Sequence, residues 1–169
     1  AVTDLEGQIT GVHRTYLSPP APGATAPVKA PVAIPCRAMG NLLGHGVRFG
    51  KADDVMVAGE GIETVRSLKE IMPAMPMIAA TSSAHLAAIL FPPTVRRLYV
   101  ARDNDPAGHA AVAILMERAS LAGIELIPLV PECADYNDDL RGIDARRLRA
   151  ALRLQLAPQD VSRFLMPSR

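Results

Sequence analysis

The spacing of apolar positions changes near residue 51 and then follows a repeating pattern. Short apolar runs, typical of strands buried on both faces, alternate with segments whose apolar side chains recur every three or four positions, as in amphipathic helices. Alternating strands and helices build βαβ units, so the pattern predicts an α/β fold with a mainly parallel sheet of about four strands, flanked by helices. The predicted strands are residues 55–58, 77–80, 98–101 and 124–129, and the predicted helices are residues 62–72, 83–90 and 106–122.

The segment before residue 51 has a different pattern. Residues 9–17 are rich in β-branched and aromatic side chains and predict a strand. Six of the fifteen prolines then fall between Pro19 and Pro35, which predicts a loop or extended arm, because proline fixes φ and has no N–H to donate. Glycines punctuate residues 36–50, where we expect irregular structure or a short hairpin.

Helical spacing returns over residues 144–156, where several arginines recur along the predicted helix. A solvated basic face explains them more simply than contact with nucleic acid, although both explanations stay open. We expect three parts: a small β-rich N-terminal extension (1–50), a central α/β domain (51–141) and a C-terminal basic helix and tail (142–169).

Composition narrows the class of protein. The chain is 49% hydrophobic and 21% charged, which is ordinary for a globular domain, and no window approaches the ~20 apolar residues of a membrane span. We therefore expect a cytoplasmic protein with no membrane partner. Cys36 and Cys133 have neither the number for a disulfide framework nor the spacing of a zinc site.

The net charge of +1 conceals an acidic centre. Residues 51–140 carry seven Lys and Arg against thirteen Asp and Glu, and both flanking segments are basic. Phosphates repel such a centre unless a cation intervenes. The distribution therefore favours a protein that holds a divalent ion against phosphates.

Acidic residues come after three of the predicted strands: Glu60 after the first, Asp103 and Asp105 after the third, and those of the predicted loop 135–139 after the fourth. Ligands bind beyond the carboxyl ends of the strands in an open parallel sheet, so we expect these acids to share one site. Their mutual repulsion would oppose folding unless a cation offsets it, and hard oxygen ligands select Mg²⁺ or Mn²⁺.

Smaller residues complete this predicted site. Gly61 and Gly108 lack side chains beside the acids and leave room for a phosphate, and Asn137 offers a neutral polar contact. Each acid also has an ordinary explanation on its own: Asp105 before a proline looks like a helix start, and Asp138 and Asp139 look like first-turn acids. Their equivalent positions after successive strands favour the shared site.

Three stretches of this chain resemble the Toprim domain, most of all that of plasmid- and phage-type DNA primases and primase-helicases. They are VAGEGIET at 57–64, LYVARDNDPAG at 98–108 and DYND at 135–138. The Glu-Gly, the Asp-x-Asp and the later acids follow strands in the family's order, and the resemblance covers residues 51–141. Residues 13–17, Lys29-Ala30 and 46–48 also resemble the primase-core stretch that precedes Toprim in those proteins.

The resemblance implies a Toprim (Rossmann-like) fold and a set of roles. Glu60 corresponds to the motif glutamate, a general acid/base or metal ligand, and Asp103 and Asp105 correspond to the Asp-x-Asp metal ligands. Asp135 and Asp138 correspond to a further acidic pair. The basic residues expected to contact nucleotide or nucleic acid are Arg14, Lys29, Arg48 and Arg102. For Arg102, a salt bridge to its own acidic neighbours is an equally good explanation.

The implied activity is Mg²⁺-dependent nucleotidyl transfer that makes RNA primers on single-stranded DNA from nucleoside triphosphates during replication. The chain has no zinc-binding or helicase motif, so we expect a fragment whose template-recognition domain or helicase is a separate partner. Two alternatives stay open: a Toprim nuclease, in which the same acids activate water, and a non-catalytic module that binds nucleic acid. A phospho-acceptor receiver domain is disfavoured, since no lysine follows Lys69.

Overall fold

The structure is a computed structural model that describes residues 1–20 and 28–165. Residues 21–27 of the predicted proline-rich arm and the last four residues of the predicted tail lie outside the described residues. Within the described part, no helix has the length and apolar character needed to cross a membrane.

Small antiparallel sheets form the N-terminal extension. The strands are β1 (Val2–Thr3), β2 (Ile9–Thr15), β3 (Leu17–Ser18), β4 (Val28–Lys29) and β5 (Cys36–Gly40). Strand β2 lies between β1 and β5, and β3 pairs with β4. Within residues 36–50, where we expected irregular structure or a short hairpin, the structure has strand β5, which pairs with β2. Gly11 and Gly40 lie opposite each other in this pair. A Cβ on Gly11 would lie 2.6 Å from the Met39 carbonyl oxygen, so glycine here allows close backbone approach.

The central sheet has five strands, one more than the sequence predicts. They are β6 (Val47–Phe49), β7 (Val55–Gly59), β8 (Met77–Ala79), β9 (Arg97–Ala101) and β10 (Glu125–Leu129), in the spatial order β10-β9-β7-β8-β6. Strands β7 to β10 are parallel, which confirms the predicted parallel sheet, and β6 joins β8 as an antiparallel edge.

Helices cover both faces of this sheet. They are α1 (Ile62–Ile71), α2 (Ser83–Ala87), α3 (Pro106–Leu121), α4 (Tyr136–Gly142), α5 (Ala145–Gln155) and the short α6 (Pro158–Asp160), which continues as a π-helical turn over Val161–Leu165. The prediction of a loop over 135–139 was wrong: Asp135 is the N-cap of α4, and the polar residues that follow it are helical. The acids that suggested a loop stand where a helix N-terminus favours negative charge.

Side-chain alternation along the strands creates two apolar layers. Val55 and Val57 of β7 face the layer of α1, α4, α5 and the C-terminal turn, whereas Met56 and Ala58 face the layer of α2 and α3. Both sets are buried, which explains the unbroken apolar runs in the sequence. Each large apolar side chain buried in this way contributes about 1.5–3 kcal/mol to folding.

Candidate metal and nucleotide site

Parallel registers bring the acidic segments to one edge of the sheet. Gly59 at the end of β7 lies opposite Ala101 at the end of β9, and Ala101 lies opposite Leu129 at the end of β10. The chain therefore leaves these three neighbouring strands at the same level. Glu60 is the next residue after β7, Asp103 is the second residue after β9, and Asp135 follows β10 after residues 130–134.

Asp103 is the electrostatic centre of this edge. Its carboxylate is partly buried, and its Oδ1 has no hydrogen-bond partner within the described residues. Burial, followed by the nearby carboxylates of Glu60, Asp135 and Asp105 in that order, raises the pKa of Asp103 to about 7. The four acids thus form a shared field of negative charge, as their positions in the sequence suggested.

Glu60 shares this field. Burial and the Asp105 carboxylate raise the pKa of Glu60, and a hydrogen bond from the Ser83 backbone N–H acts in the opposite direction. Ser83 is the first residue of α2, so the start of that helix contacts the glutamate. A carboxylic acid with a raised pKa beside ionised carboxylates is a candidate proton donor or acceptor.

These residues fit a hard divalent cation. All four donors are carboxylates, and the unpartnered Oδ1 of Asp103 is a buried acceptor without a proton donor or cation. Across residues 1–20 and 28–165, no group of three Asp, Glu, His or Cys side chains is already close enough together to coordinate one metal ion. Mg²⁺ commonly keeps several waters and takes one or two carboxylates, which this edge offers.

Asp105 and Asp135 each have a second, structural role as helix N-caps. Asp105 Oδ1 accepts a hydrogen bond from the Gly108 N–H at 2.7 Å, and Pro106 follows at the first helical position of α3. Asp135 Oδ1 accepts from the Asp138 N–H at 2.8 Å at the start of α4. The ordinary explanation for an acid at a helix start therefore holds alongside the electrostatic one.

Gly108 has a packing role that the sequence did not reveal. A Cβ at this position would lie 2.5 Å from the Asp103 carbonyl oxygen, so the Asp103 backbone occupies the space in which we expected a phosphate. At Gly61, a Cβ would first meet Thr64 Oγ1 at 3.4 Å, an ordinary contact. Gly61, the N-cap of α1, therefore leaves room for no more than a small group in ordinary contact with Thr64 and Glu63. Asn137 lies partly buried in the first turn of α4.

Lys29 is the predicted basic residue that the structure brings to the acids. Its Nζ lies 2.9 Å from Glu63 Oε1 on the first turn of α1. That hydrogen bond raises the pKa of Lys29, and the charge of Asp135 adds to the effect. Strand β4 of the extension therefore places a cation on the first turn of α1, within the electrostatic reach of Asp135.

The other predicted cations lie in different surroundings. Arg14 is exposed on β2 and stacks over the Tyr16 ring at 4.2 Å. Arg48 on β6 donates from Nε to the Asp4 carbonyl oxygen at 3.0 Å, and burial lowers its pKa.

Arg102 makes no ion pair with its acidic neighbours among the described residues. Its Nη2 donates instead to Asn104 Oδ1 at 3.1 Å, and its buried Nε has no partner there. Asn104 itself was not singled out from the sequence. Its position between two candidate metal ligands was the available signal.

Asp139 is a second residue whose role the sequence did not indicate. We expected a first-turn acid that complements the dipole of a helix, but only 1% of its surface is exposed. Its two oxygens accept hydrogen bonds from the Glu132 N–H at 2.9 Å and the Cys133 N–H at 2.7 Å. The buried Asp139 carboxylate therefore stabilises the backbone of the connection between β10 and α4.

Three solved structures share the fold. A primase fragment of the bacteriophage T7 primase-helicase matches with a TM-score of 0.60 and 15% identity, over 90% of this chain and 59% of that one. The zinc-binding and RNA polymerase domains of the Aquifex aeolicus primase match with a TM-score of 0.56 and 17% identity, over 91% and 39%. A DNA primase domain from Pseudomonas aeruginosa matches with a TM-score of 0.55 and 18% identity, over 90% and 49%. The chain thus spans about two fifths to three fifths of these structures.

No curated protein matches the sequence significantly. Two family models do match, and they meet near the start of the central sheet. A domain of unknown function (DUF7146) matches residues 1–49, and the Toprim domain matches residues 55–143. The second match covers more than half of the 169 residues and includes every strand and helix that borders the acidic edge. The chain therefore belongs to the Toprim family.

Proposed function

We propose that this chain is the catalytic Toprim module of a primase-like nucleotidyltransferase that depends on Mg²⁺ or Mn²⁺. It would join nucleoside triphosphates into RNA primers on single-stranded DNA during replication. The observation that carries the proposal is the environment of Asp103, whose pKa burial and three neighbouring carboxylates raise to about 7. A carboxylate that is partly buried among other carboxylates, with one oxygen lacking a hydrogen-bond partner, is characteristic of a cation site.

Asp103 and Asp105 would hold the ion, with Glu60 or Asp135 within reach through water. A bound divalent ion would orient the triphosphate and stabilise charge on the phosphoryl group being transferred. Glu60, whose raised pKa suits proton transfer, would accept the proton of the 3′-hydroxyl as its oxygen bonds to the α-phosphate and pyrophosphate leaves. Lys29, which feels the charge of Asp135, would neutralise phosphate charge, and the absence of a side chain at Gly61 would let a phosphate approach the backbone.

The similarity to longer primase structures supports a division of labour. The central domain over 51–141 would carry the chemistry, and the extension over 1–50 and the basic segment over 142–169 would contact nucleic acid through residues such as Arg14. Template recognition would come from a zinc-binding domain or a helicase outside this chain.

Divalent-ion binding and primer synthesis test the proposal together. Mn²⁺ binding to the 169-residue chain is measured first by electron paramagnetic resonance, because primer synthesis can also require the partner domain. We expect Glu60→Gln and Asp103→Asn to lower primer synthesis by about 10²–10⁴-fold, the range for loss of a proton-transfer group or metal ligand. Glu70→Gln is the control for the same type of substitution. Glu70 is exposed on α1, the helix that also carries Glu63, and is not a predicted site residue.

Each contrary result has a distinct meaning. Wild-type activity in both site variants, or absence of Mn²⁺ binding in the wild type, would overturn the assignment of the site. Shortening of labelled DNA without nucleotides would identify a nuclease. Binding of DNA that is indifferent to chelator, with neither reaction, would identify a non-catalytic module.

A further inference from the structure

The side chains of Asn104 and Asp139 both make hydrogen bonds to the backbone of the connection between β10 and α4. Residues 131–134 have no regular secondary structure, yet three of their carbonyl oxygens and two of their amide groups are hydrogen-bonded. Asn104 binds the carbonyls, and Asp139 binds the amides. We call residues 131–134 the clamped loop.

Asn104 makes three of these hydrogen bonds. Its Nδ2 donates to the Pro131 carbonyl oxygen at 3.1 Å and to the Cys133 carbonyl oxygen at 2.6 Å, and its backbone N–H donates to the Ala134 carbonyl oxygen at 2.8 Å. Both hydrogens of one amide group are thus used on one loop. The Arg102 contact to Asn104 Oδ1 at 3.1 Å fixes which way that amide faces.

The position of Asn104 in the chain gives this contact its consequence. Asn104 lies between Asp103 and Asp105, and the clamped loop leads directly into Asp135. Hydrogen bonds from Asn104 therefore connect the segment that carries Asp103 and Asp105 to the segment that carries Asp135. We propose that Asn104 is a positioning residue that sets the distance from Asp135 to the Asp103–Asp105 pair, with Asp139 as its counterpart for the amide groups of the same loop.

This inference rests on the proposed function for its metal, but its geometry is independent of the metal. Side chains that orient metal ligands without touching the ion commonly change metal affinity by about 10–100-fold when they are removed. Asn104→Leu keeps the approximate volume of the side chain and removes both amide donors without adding charge. Asn41→Leu is the matched control, because Asn41 is exposed in the N-terminal extension.

The first measurement is Mn²⁺ affinity by calorimetry, with Mn²⁺ alone as the probe. We expect Asn104→Leu to weaken binding by about tenfold or more and Asn41→Leu to leave it unchanged. The second is the same substitution on an Asp135→Asn background, where asparagine can still cap α4. If Asn104 acts through Asp135, the added loss there is much smaller than tenfold.

Hydrogen exchange of the metal-free protein gives a third, independent measurement. The Glu132 and Cys133 amides, which donate to Asp139, are expected to exchange at least tenfold faster in Asn104→Leu, while amides of β7 keep their rates. Unchanged exchange, unchanged Mn²⁺ affinity, or a full additional loss on the Asp135→Asn background would each overturn the inference. A wild type that binds no Mn²⁺ would instead overturn the proposed function, and the exchange rates would then decide this inference alone.

Discussion

At the residue scale, Asp103 carries an energetic cost that the rest of the fold must offset. Its carboxylate leaves water partly, faces three other acids and lacks a hydrogen-bond donor for Oδ1 among the described residues. In the unfolded chain none of these penalties applies. The folded and unfolded states therefore bind different numbers of protons over a defined range of pH.

The sign of this effect is a prediction for stability against pH. The pKa of Asp103 is about 7 in the folded state against 3.8 ordinarily, so between these values the folded state keeps a proton that the unfolded state has lost. The contribution of Asp103 to stability therefore falls as pH rises from about 4 to 7 and stays low above 7. Removing the charge with Asp103→Asn should increase the free energy of unfolding at pH 8 by about 1–2 kcal/mol. The increase is smaller than the full pKa shift would give, because solvent screens a partly buried carboxylate.

Urea denaturation at pH 4 and pH 8, without divalent ions, measures this difference. The stabilisation by Asp103→Asn should fall to a small fraction of its pH 8 value near pH 4, where the folded state is protonated at this position and the unfolded state is roughly half protonated. Asp53→Asn, at an exposed aspartate, is the control and should show no comparable trend. An equal effect of Asp103→Asn at both pH values would contradict the electrostatic explanation.

At the element scale, the start of α3 combines chemistry with packing. Asp105 caps the helix, Pro106 occupies its first position, and Gly108 lets the helix approach the backbone of Asp103. The Asp-x-Asp segment is therefore held against the helix that follows it. A side chain at Gly108 would push the two apart.

Two glycine-to-alanine substitutions separate this packing from helix propensity. Gly108→Ala should lower the free energy of unfolding by about 1–3 kcal/mol, because its Cβ would overlap the Asp103 carbonyl. Gly142→Ala, also at a helical position but with open space around its Cβ, should raise it by about 0.4–1 kcal/mol. Thermal or urea unfolding followed by circular dichroism measures both, and equal effects would refute the contact at Asp103.

Element boundaries also indicate what a local pattern can and cannot predict. The strands β7 to β10 and the helices α1 and α3 follow from apolar spacing and caps such as Asp105 before Pro106, which act within a few residues. Strand β6 was not foreseen, because its pairing partner β8 lies about 30 residues further along the chain. Helix α4 was mistaken for a loop, because its first turn is polar and its apolar side chains Tyr136 and Leu140 pack with residues of β7 and α1 that are distant in the chain.

At the scale of the whole molecule, the C-terminal segment is joined to the sheet by a buried polar network. Asp160 is 2% exposed, and its Oδ2 accepts from the Tyr99 hydroxyl at 2.7 Å and from Arg97 Nη1 at 2.9 Å. The Tyr99 hydroxyl accepts in turn from the Ala157 N–H at 2.9 Å. Burial and the Asp160 contact raise the pKa of Tyr99. This network lies at the opposite end of β9 from the acidic edge and secures the helical layer over β7 and β9.

Loss of this network should destabilise the whole domain. Asp160→Asn removes the buried carboxylate that accepts from Tyr99 and Arg97, while Arg97 keeps its ion pair with Glu125 at 2.6 Å, and should cost about 1.5–3 kcal/mol. Asp54→Asn removes an exposed ion pair to Arg163, at 2.6 Å, and should cost no more than about 1 kcal/mol. Chemical denaturation compares the two, and similar small losses would mean that the buried network contributes little.

The sequence alone is sufficient for the parallel α/β core, for the family and for the order of the acids, because these depend on apolar spacing and on motifs read within a few residues. It could not supply the environment of Asp103, the clamped loop held by Asn104 and Asp139, or the tie between Asp160 and Tyr99. Each of these joins residues that are distant in the chain, and their pKa values, burial and hydrogen bonds exist only once the strands are in register. Local spacing thus names the candidate groups, whereas folding sets the distances and the dielectric surroundings on which their chemistry depends.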